Sequence, residues 1–369
     1  MPAWVYPSSP ESPLDRYFTA AASSVSHGAP EQQGESRDFH HSSPRDTVFS
    51  GRAATIPSMS FDKRQETTPM TKRTAPVKTL RPGLPNRLLG LLLATHPVPS
   101  AMYVVMTAFL AFVAASAAHR PLDPAALVRV LIAVGAAQIA IGSLNDYRDR
   151  ELDAGRPDKP IPLGLIAPWH ALALCLAASV VMLLSSIPLG PLAFVLCLLI
   201  EGLGLAYDLW FKGSPISALL FAAYFPLFPL LAWTVFGRWQ PFLPWLLPFG
   251  ALLGVAMNVA NSLPDLEADR AAGVRGLPHL LGLRRGLAVA WGTPPLVFAG
   301  MLTLALTGIV PARLPGMLVA AAGALLSVLA AMLLYRANPQ PATLRRTFLI
   351  QGVGVLLLAG GWIAAVAFY

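Results

Sequence analysis

Hydrophobic and polar positions divide the chain into two unlike parts. From about Leu88 onward, apolar residues run in blocks of near twenty, separated by short polar stretches. A helix needs roughly 20 apolar residues to cross a bilayer. Nine blocks meet that length, at about 98–117, 125–144, 168–187, 190–207, 214–236, 243–261, 286–309, 315–335 and 347–369. They predict an all-α membrane protein, with about nine transmembrane helices bundled around a central cavity. The fifth block is crowded with Pro and aromatics (YFPLFPLLAW), which suits a broken helix walling a long apolar ligand. The last three blocks hold mostly Gly, Ala and Leu, suited to close helix packing. Residues 1–80 show no helical apolar period and are rich in Pro, Ser, His and mixed charge. Such a stretch buries too little surface to offset its ordering entropy, so a disordered tail is expected ahead of a membrane domain at 81–369.

Composition agrees with a membrane protein, since 55% of the 369 residues are hydrophobic and 12% are charged. The net charge of +8 would fit a nucleic-acid binder, but its placement does not. Loops after the even-numbered blocks hold Arg148, Arg150, Arg156, Lys159, Lys212, Arg270, Arg275, Arg284, Arg285, Arg336, Arg345 and Arg346. Those after the odd-numbered blocks hold Arg120, Arg238 and Arg313. Positive-inside bias therefore puts the even loops and the N-terminus in the cytoplasm, in a plasma-membrane protein whose C-terminus lies outside. Nucleic acid drops out as a partner, and membrane lipids enter. Cys175 and Cys197 both fall inside apolar blocks and read as small core residues. The tail lacks a signal peptide's basic and apolar regions. Its His40-His41 pair reads as accidental. A basic run from Met70 (MTKRTAPVKTLRPGLPNR) marks where the functional protein is expected to begin.

Chemistry concentrates where the blocks are interrupted. Between the second and third blocks, the stretch from Asn145 to Gly164 packs five acidic and four basic side chains into twenty residues. Charge at a membrane edge is costly and points to function. Asn145, Asp149 and Asp153 follow i, i+4, i+8 spacing, and Asp146 joins them at i, i+3, i+7, so a continuing helix would stack their oxygens in one column. Carboxylates so close repel unless a cation sits among them. Mg²⁺ takes such oxygens, keeps several waters and is often shared with substrate phosphates. Arg156 and Lys159 follow in RPDKPIP, where prolines stop the helix. After the sixth block, Asn261, Asp265 and Asp269 repeat the interval, with Arg275 beyond them. Internal repeats in membrane proteins place the working site where the halves meet. Tyr207 and Lys212 close the fourth block on the same side, and Glu201 lies about two turns deeper. Gln138 precedes Asn145 by seven residues on the same helix face, and His96 opens the first block near that edge.

The run Asn145-Asp146-x-x-Asp149-x-x-x-Asp153, the following Arg156-Pro157-x-Lys159-Pro160, the Tyr207…Lys212 pair and Asp265-x-x-x-Asp269 together resemble the UbiA superfamily of intramembrane prenyltransferases. The resemblance covers about residues 88–369. It implies Mg²⁺-dependent transfer of an isoprenoid chain from a polyprenyl diphosphate to a hydrophobic acceptor. By the match, Asn145, Asp149, Asp153, Asp265 and Asp269 would hold the metals. Asp146 joins those four Asp residues as a candidate catalytic acid. Arg156, Lys159, Tyr207, Lys212 and Arg275 would contact diphosphate, while Gln138, His96 and Asn261 would face the acceptor. Physical logic agrees, because metals and cations at the departing diphosphate stabilise its developing charge. Apolar walls keep water from the allylic cation, and a lateral opening would admit oily substrates from lipid.

An aromatic quinone precursor leads as the acceptor. Members acting on hydroxybenzoate-like acids tend to carry an Arg where Gln138 stands, and Asp153 lies closer to Arg156-Pro157 than in many members. A lipid glycerol phosphate or a tetrapyrrole therefore stays open. A lipid phosphotransferase acting on CDP-alcohols would show a different Asp-rich signature. A transporter would place its acids deeper in the membrane.

Overall fold

The structure, a computed structural model, describes residues 83–154, 156, 159–271, 273–336 and 340–369. The tail, His40-His41 and the Met70 start lie outside these residues. Among the described residues the regular structure is helical, without strands. Nine helical segments there are long and apolar enough to cross a membrane. In chain order the helices are α1 (Leu84–Ala94), α2 (Pro97–Ala117), α3 (Pro124–Asp149), α4 (Pro168–Ser186) and α5 (Pro191–Ala206). There follow α6 (Ser217–Tyr224), α7 (Leu227–Phe236), α8 (Leu246–Ser262), α9 (Leu266–Ala271), α10 (Leu277–Leu306), α11 (Leu314–Arg336) and α12 (Pro341–Ala367).

Proline opens α2, α3, α4, α5 and α12, where its missing N–H costs nothing and its fixed φ already suits a helix. Asp123 caps α3 by accepting from the Ala125 and Ala126 amides at 2.9 and 3.3 Å. Sequence neighbours pack side by side around the bundle, and α12 touches α2 to close it. Outward faces carry bare apolar side chains such as Leu184, Leu219, Leu296 and Leu306. A water-soluble protein would bury such a surface, so it marks the lipid side. The α11–α12 seam brings backbones together: a Cβ added at Gly316 would lie 2.6 Å from the Ala365 nitrogen.

Several boundaries differ from expectation. Helix α1 was not anticipated, because its eleven residues are too few to cross the bilayer. It rests on the loop before α4, where Gly90 meets Leu165 and Ile166. The second block runs on to Asp149 rather than stopping near Leu144. The fifth is broken, as its prolines suggested, at Phe225–Pro226 into α6 and α7, since Pro226 offers no amide to continue the ladder. The seventh begins at Leu277, nine residues before 286, with a kink where Gly282 takes φ 71°. Left-handed φ costs glycine little, which is why the kink falls there. Between α5 and α6, Tyr207–Phe211 form a π turn in which the Lys212 amide donates to the Tyr207 carbonyl at 2.8 Å.

Candidate functional site

One cavity of about 900 Å³ opens at the end of the bundle where the loops after the second, fourth and sixth spans emerge. Both acidic motifs reach its wall. Asn145 and Asp149 sit one turn apart on α3, and the Asp153 amide extends that turn by donating to the Asp149 carbonyl at 2.7 Å. In the second motif the helix does not continue. Pro264 tightens the chain into a 3₁₀ turn at Leu263–Asp265, and Asp269 lies on the short α9. Asn261, Asp265 and Asp269 nevertheless line the same cavity as Asn145, Asp149 and Asp153.

Three of these carboxylates meet a Lys or Arg, and the fourth faces a histidine. The Lys212 ammonium donates to Asp149, and Arg156 donates to Asp153 at 3.3 Å. Arg345, from the start of α12, donates to Asp265 at 2.7 Å, and His279 stands 3.6 Å from Asp269. Burial raises the Asp153 carboxyl above its ordinary pKa despite Lys159 and Arg156. Burial does the same to Asp269, against the pull of His279. For Lys212, burial acts to lower the pKa, but Asp149, Tyr207 and Asp208 outweigh it and hold the ammonium at about 12.

Two expected residues stand elsewhere. Asp146 is buried behind the cavity wall, 2% exposed, where His96 Nε2 meets its Oδ1 at 2.9 Å and Lys159 donates to the same oxygen at 2.7 Å. One residue along a helix turns a side chain by about 100°, which carries Asp146 off the face of Asn145. Its partners His96 and Lys159 do line the cavity. Arg275 lines a neighbouring pocket of about 260 Å³ with Arg270 and His279, because its backbone amide is tied to the Gly213 carbonyl at 3.0 Å. Tyr207, Lys159, Arg156 and Lys212 reach the main cavity as expected. Glu201 does not; it is buried against Ser179 between α4 and α5.

Deeper in the cavity the wall turns uncharged. Tyr103, Gln138, Ile141, Leu220, Phe221 and Tyr224 line it, and Gln138 donates to the Tyr224 hydroxyl at 2.6 Å. Sequence reading overlooked Arg345 and Asp208, both on the wall. Arg345 lies in a loop-edge position that looked like a topology charge. Asp208 was hidden inside an aromatic run, and only its neighbour Asn145, far away in sequence, reveals its side.

The donor set suits Mg²⁺. Among the described residues no three His, Cys, Asp or Glu side chains converge on one point. Mg²⁺ does not require that, since it is held through one or two carboxylates, waters and substrate phosphates. Hard oxygens from two motifs, facing across one cavity with cations beside them, match that mode of binding.

A family model described as the UbiA prenyltransferase family matches residues 104–353. The digeranylgeranylglyceryl phosphate synthase of Halobacterium salinarum is 35% identical over 213 residues, covering 54% of this chain and 72% of that protein. Its namesake from Natronomonas pharaonis is 30% identical over 209 residues, covering 56% and 74%. A UbiA homologue from Archaeoglobus fulgidus, solved bound to GPP and Mg²⁺, shares the fold with a TM-score of 0.58 at 17% identity, covering 74% of this chain and 99% of that one. A shared fold, a match over most of the membrane domain and two acidic motifs on one cavity lead to one identification: the chain belongs to the UbiA prenyltransferase family and is an integral membrane enzyme.

Proposed function

We propose that this enzyme transfers a prenyl chain from a polyprenyl diphosphate to the hydroxyl of a lipid glycerol phosphate. The observation that carries the acceptor is the similarity, at 35% identity over 213 residues, to a protein named digeranylgeranylglyceryl phosphate synthase. The uncharged inner wall supports it, since Gln138 and Tyr224 offer no cation to a free aromatic carboxylate. An aromatic quinone precursor, favoured by sequence alone, is less well supported.

In this reading Asn145, Asp149, Asp153, Asp265 and Asp269 hold Mg²⁺. Bound there, Mg²⁺ would supply positive charge to the diphosphate as it departs. Lys212, Lys159 and Arg156 exchange their carboxylate partners for diphosphate oxygens, and the Tyr207 hydroxyl donates to another. Together they favour breaking the allylic C–O bond by stabilising charge on the leaving oxygen. Phe221, Leu220 and Ile141 exclude water, so the acceptor hydroxyl oxygen forms the new C–O bond with the allylic carbon. The products are the ether, diphosphate and the hydroxyl proton. The Lys and Arg bias supports a cytoplasmic orientation of the site.

The test supplies full-length protein in lipid nanodiscs with Mg²⁺, labelled geranylgeranyl diphosphate and either a prenylglycerol phosphate or 4-hydroxybenzoate. Labelled ether is expected from the first acceptor alone. Product from the aromatic acid and none from the glycerol phosphate would overturn the acceptor assignment.

A further inference from the structure

We infer that Asp208 is a positioning residue which fixes the Asn145 side-chain amide so that its carbonyl oxygen faces the cavity. The Asn145 amide nitrogen donates to Asp208 Oδ1 at 3.0 Å. An asparagine amide presents a donor on one side and an acceptor on the other, and a wrong flip would aim NH₂ at a cation. A carboxylate accepts and does not donate, so Asp208 draws the nitrogen toward itself and leaves the oxygen for the other side. Both residues border the main cavity. Asp208 is 6% exposed, and its Oδ2 is buried with no hydrogen-bond partner. A carboxyl group held there at desolvation cost, with Asn145 as its hydrogen-bond partner, has a reason beyond packing.

The π turn explains how Asp208 arrives. Asp208 and Lys212 are four residues apart, as are Asn145 and Asp149 on α3. Asp208 meets Asn145, and Lys212 meets Asp149. The turn and α3 thus form two rungs, acid to amide and base to acid, about one helical pitch apart. An extra residue in the turn aims both side chains at the same neighbour, and π turns recur where function needs such an offset. Lys212 was legible in the sequence as a diphosphate contact, but Asp208 acts through Asn145 and does not touch substrate.

The inference rests on the proposed metal-and-diphosphate reading of the cavity. The test measures binding, not turnover. Full-length protein in nanodiscs is titrated with Mg²⁺ at fixed geranylgeranyl thiolodiphosphate, a poorly departing analogue, and binding is followed by calorimetry. Asp208→Leu keeps bulk and removes the acceptor, and its Mg²⁺ midpoint should rise about 10–100-fold, the usual cost of losing a partner that orients a ligand. Asp208→Asn keeps the shape but can also donate, so it no longer forbids the wrong flip and its midpoint should rise as well, by less than in the leucine variant. Adding Asp208→Leu to Asn145→Ala should bring no further rise, because both act through one atom. A wild-type midpoint in Asp208→Leu overturns the inference. So does a wild-type midpoint in Asp208→Asn, which decides the matter even where the leucine variant fails to fold. A further rise in the double variant would transfer the effect to Lys212 and also overturn it. If wild-type protein binds the analogue without Mg²⁺ dependence, the metal reading itself falls, an outcome separate from any variant.

Discussion

Asp149 and Lys212 each satisfy the other while offering what a metal and a diphosphate require. Removing either should cost more than a surface contact, because the partner is left charged beside a low-dielectric wall. Asp149→Ala and Asp265→Ala should each lower kcat by about 10²–10³-fold or more, the scale of losing one preorganised group at a developing charge. Product formation in membranes reads this directly, and near-full turnover in either variant would remove that residue from the metal set. As proposed metal ligands, Asp153 and Asp269 would bind a cation only when ionised, and burial raises both above the ordinary 3.8. Acidification should therefore raise the Mg²⁺ midpoint for diphosphate binding from a higher pH than an ordinary aspartate would. A midpoint unchanged on lowering the pH from neutrality into the ordinary carboxylate range would count against ionised Asp153 and Asp269 as ligands.

The acidic motifs were readable because Asn, Asp and Asp recur at fixed intervals in both halves. The side taken by Asp146 was not readable, because spacing alone does not say which side of a helix faces inward. His96 and Lys159 settle that by burying it. The place of Arg275 was hidden for another reason: its loop is held by a backbone bond to Gly213 that no local pattern encodes.

Among the elements, the α11–α12 seam depends on the absence of side chains. A Cβ at Gly361 would stand 2.6 Å from the Ala320 nitrogen, so Gly361→Val must push the helices apart. A cost of about 1–3 kcal/mol or more follows from overpacking, measurable as a lower unfolding temperature in detergent. Gly202 on α5 provides the contrast, since a Cβ there meets nothing within 4 Å. Gly202→Ala should stabilise by up to about 1 kcal/mol through helix propensity. Equal shifts for both variants would show that the seam is not tight. Apolar block length gave the spans, but their ends followed other rules. Pro226 divides the fifth, and a positive φ at Gly282 lets the seventh start early. The π turn had no signature, because one extra residue in an aromatic run looks like ordinary helix.

At the level of the whole molecule, the even loops gather around the cavity mouth while the odd loops lie at the far end. A cysteine placed at Glu267, in an otherwise cysteine-free chain, should react with an impermeant maleimide only from the cytoplasmic side. One at Trp239, after the fifth span, should react only from outside. Labelling of both from the same face would contradict the topology. Spans that succeed one another also pack as neighbours, which made the bundle foreseeable from chain order alone. Closure between α2 and α12 was not foreseeable, because it joins opposite ends of the chain.

That closure has a consequence for how the enzyme is made. Arg345 and Phe348, both on α12, complete the cavity wall. A nascent chain halted by the ribosome before Pro341 would hold eight of the nine spans found among the described residues and still lack these two wall residues. A half-translated enzyme is therefore expected to hold an incomplete chamber wall, with competence arriving once α12 has left the translocon.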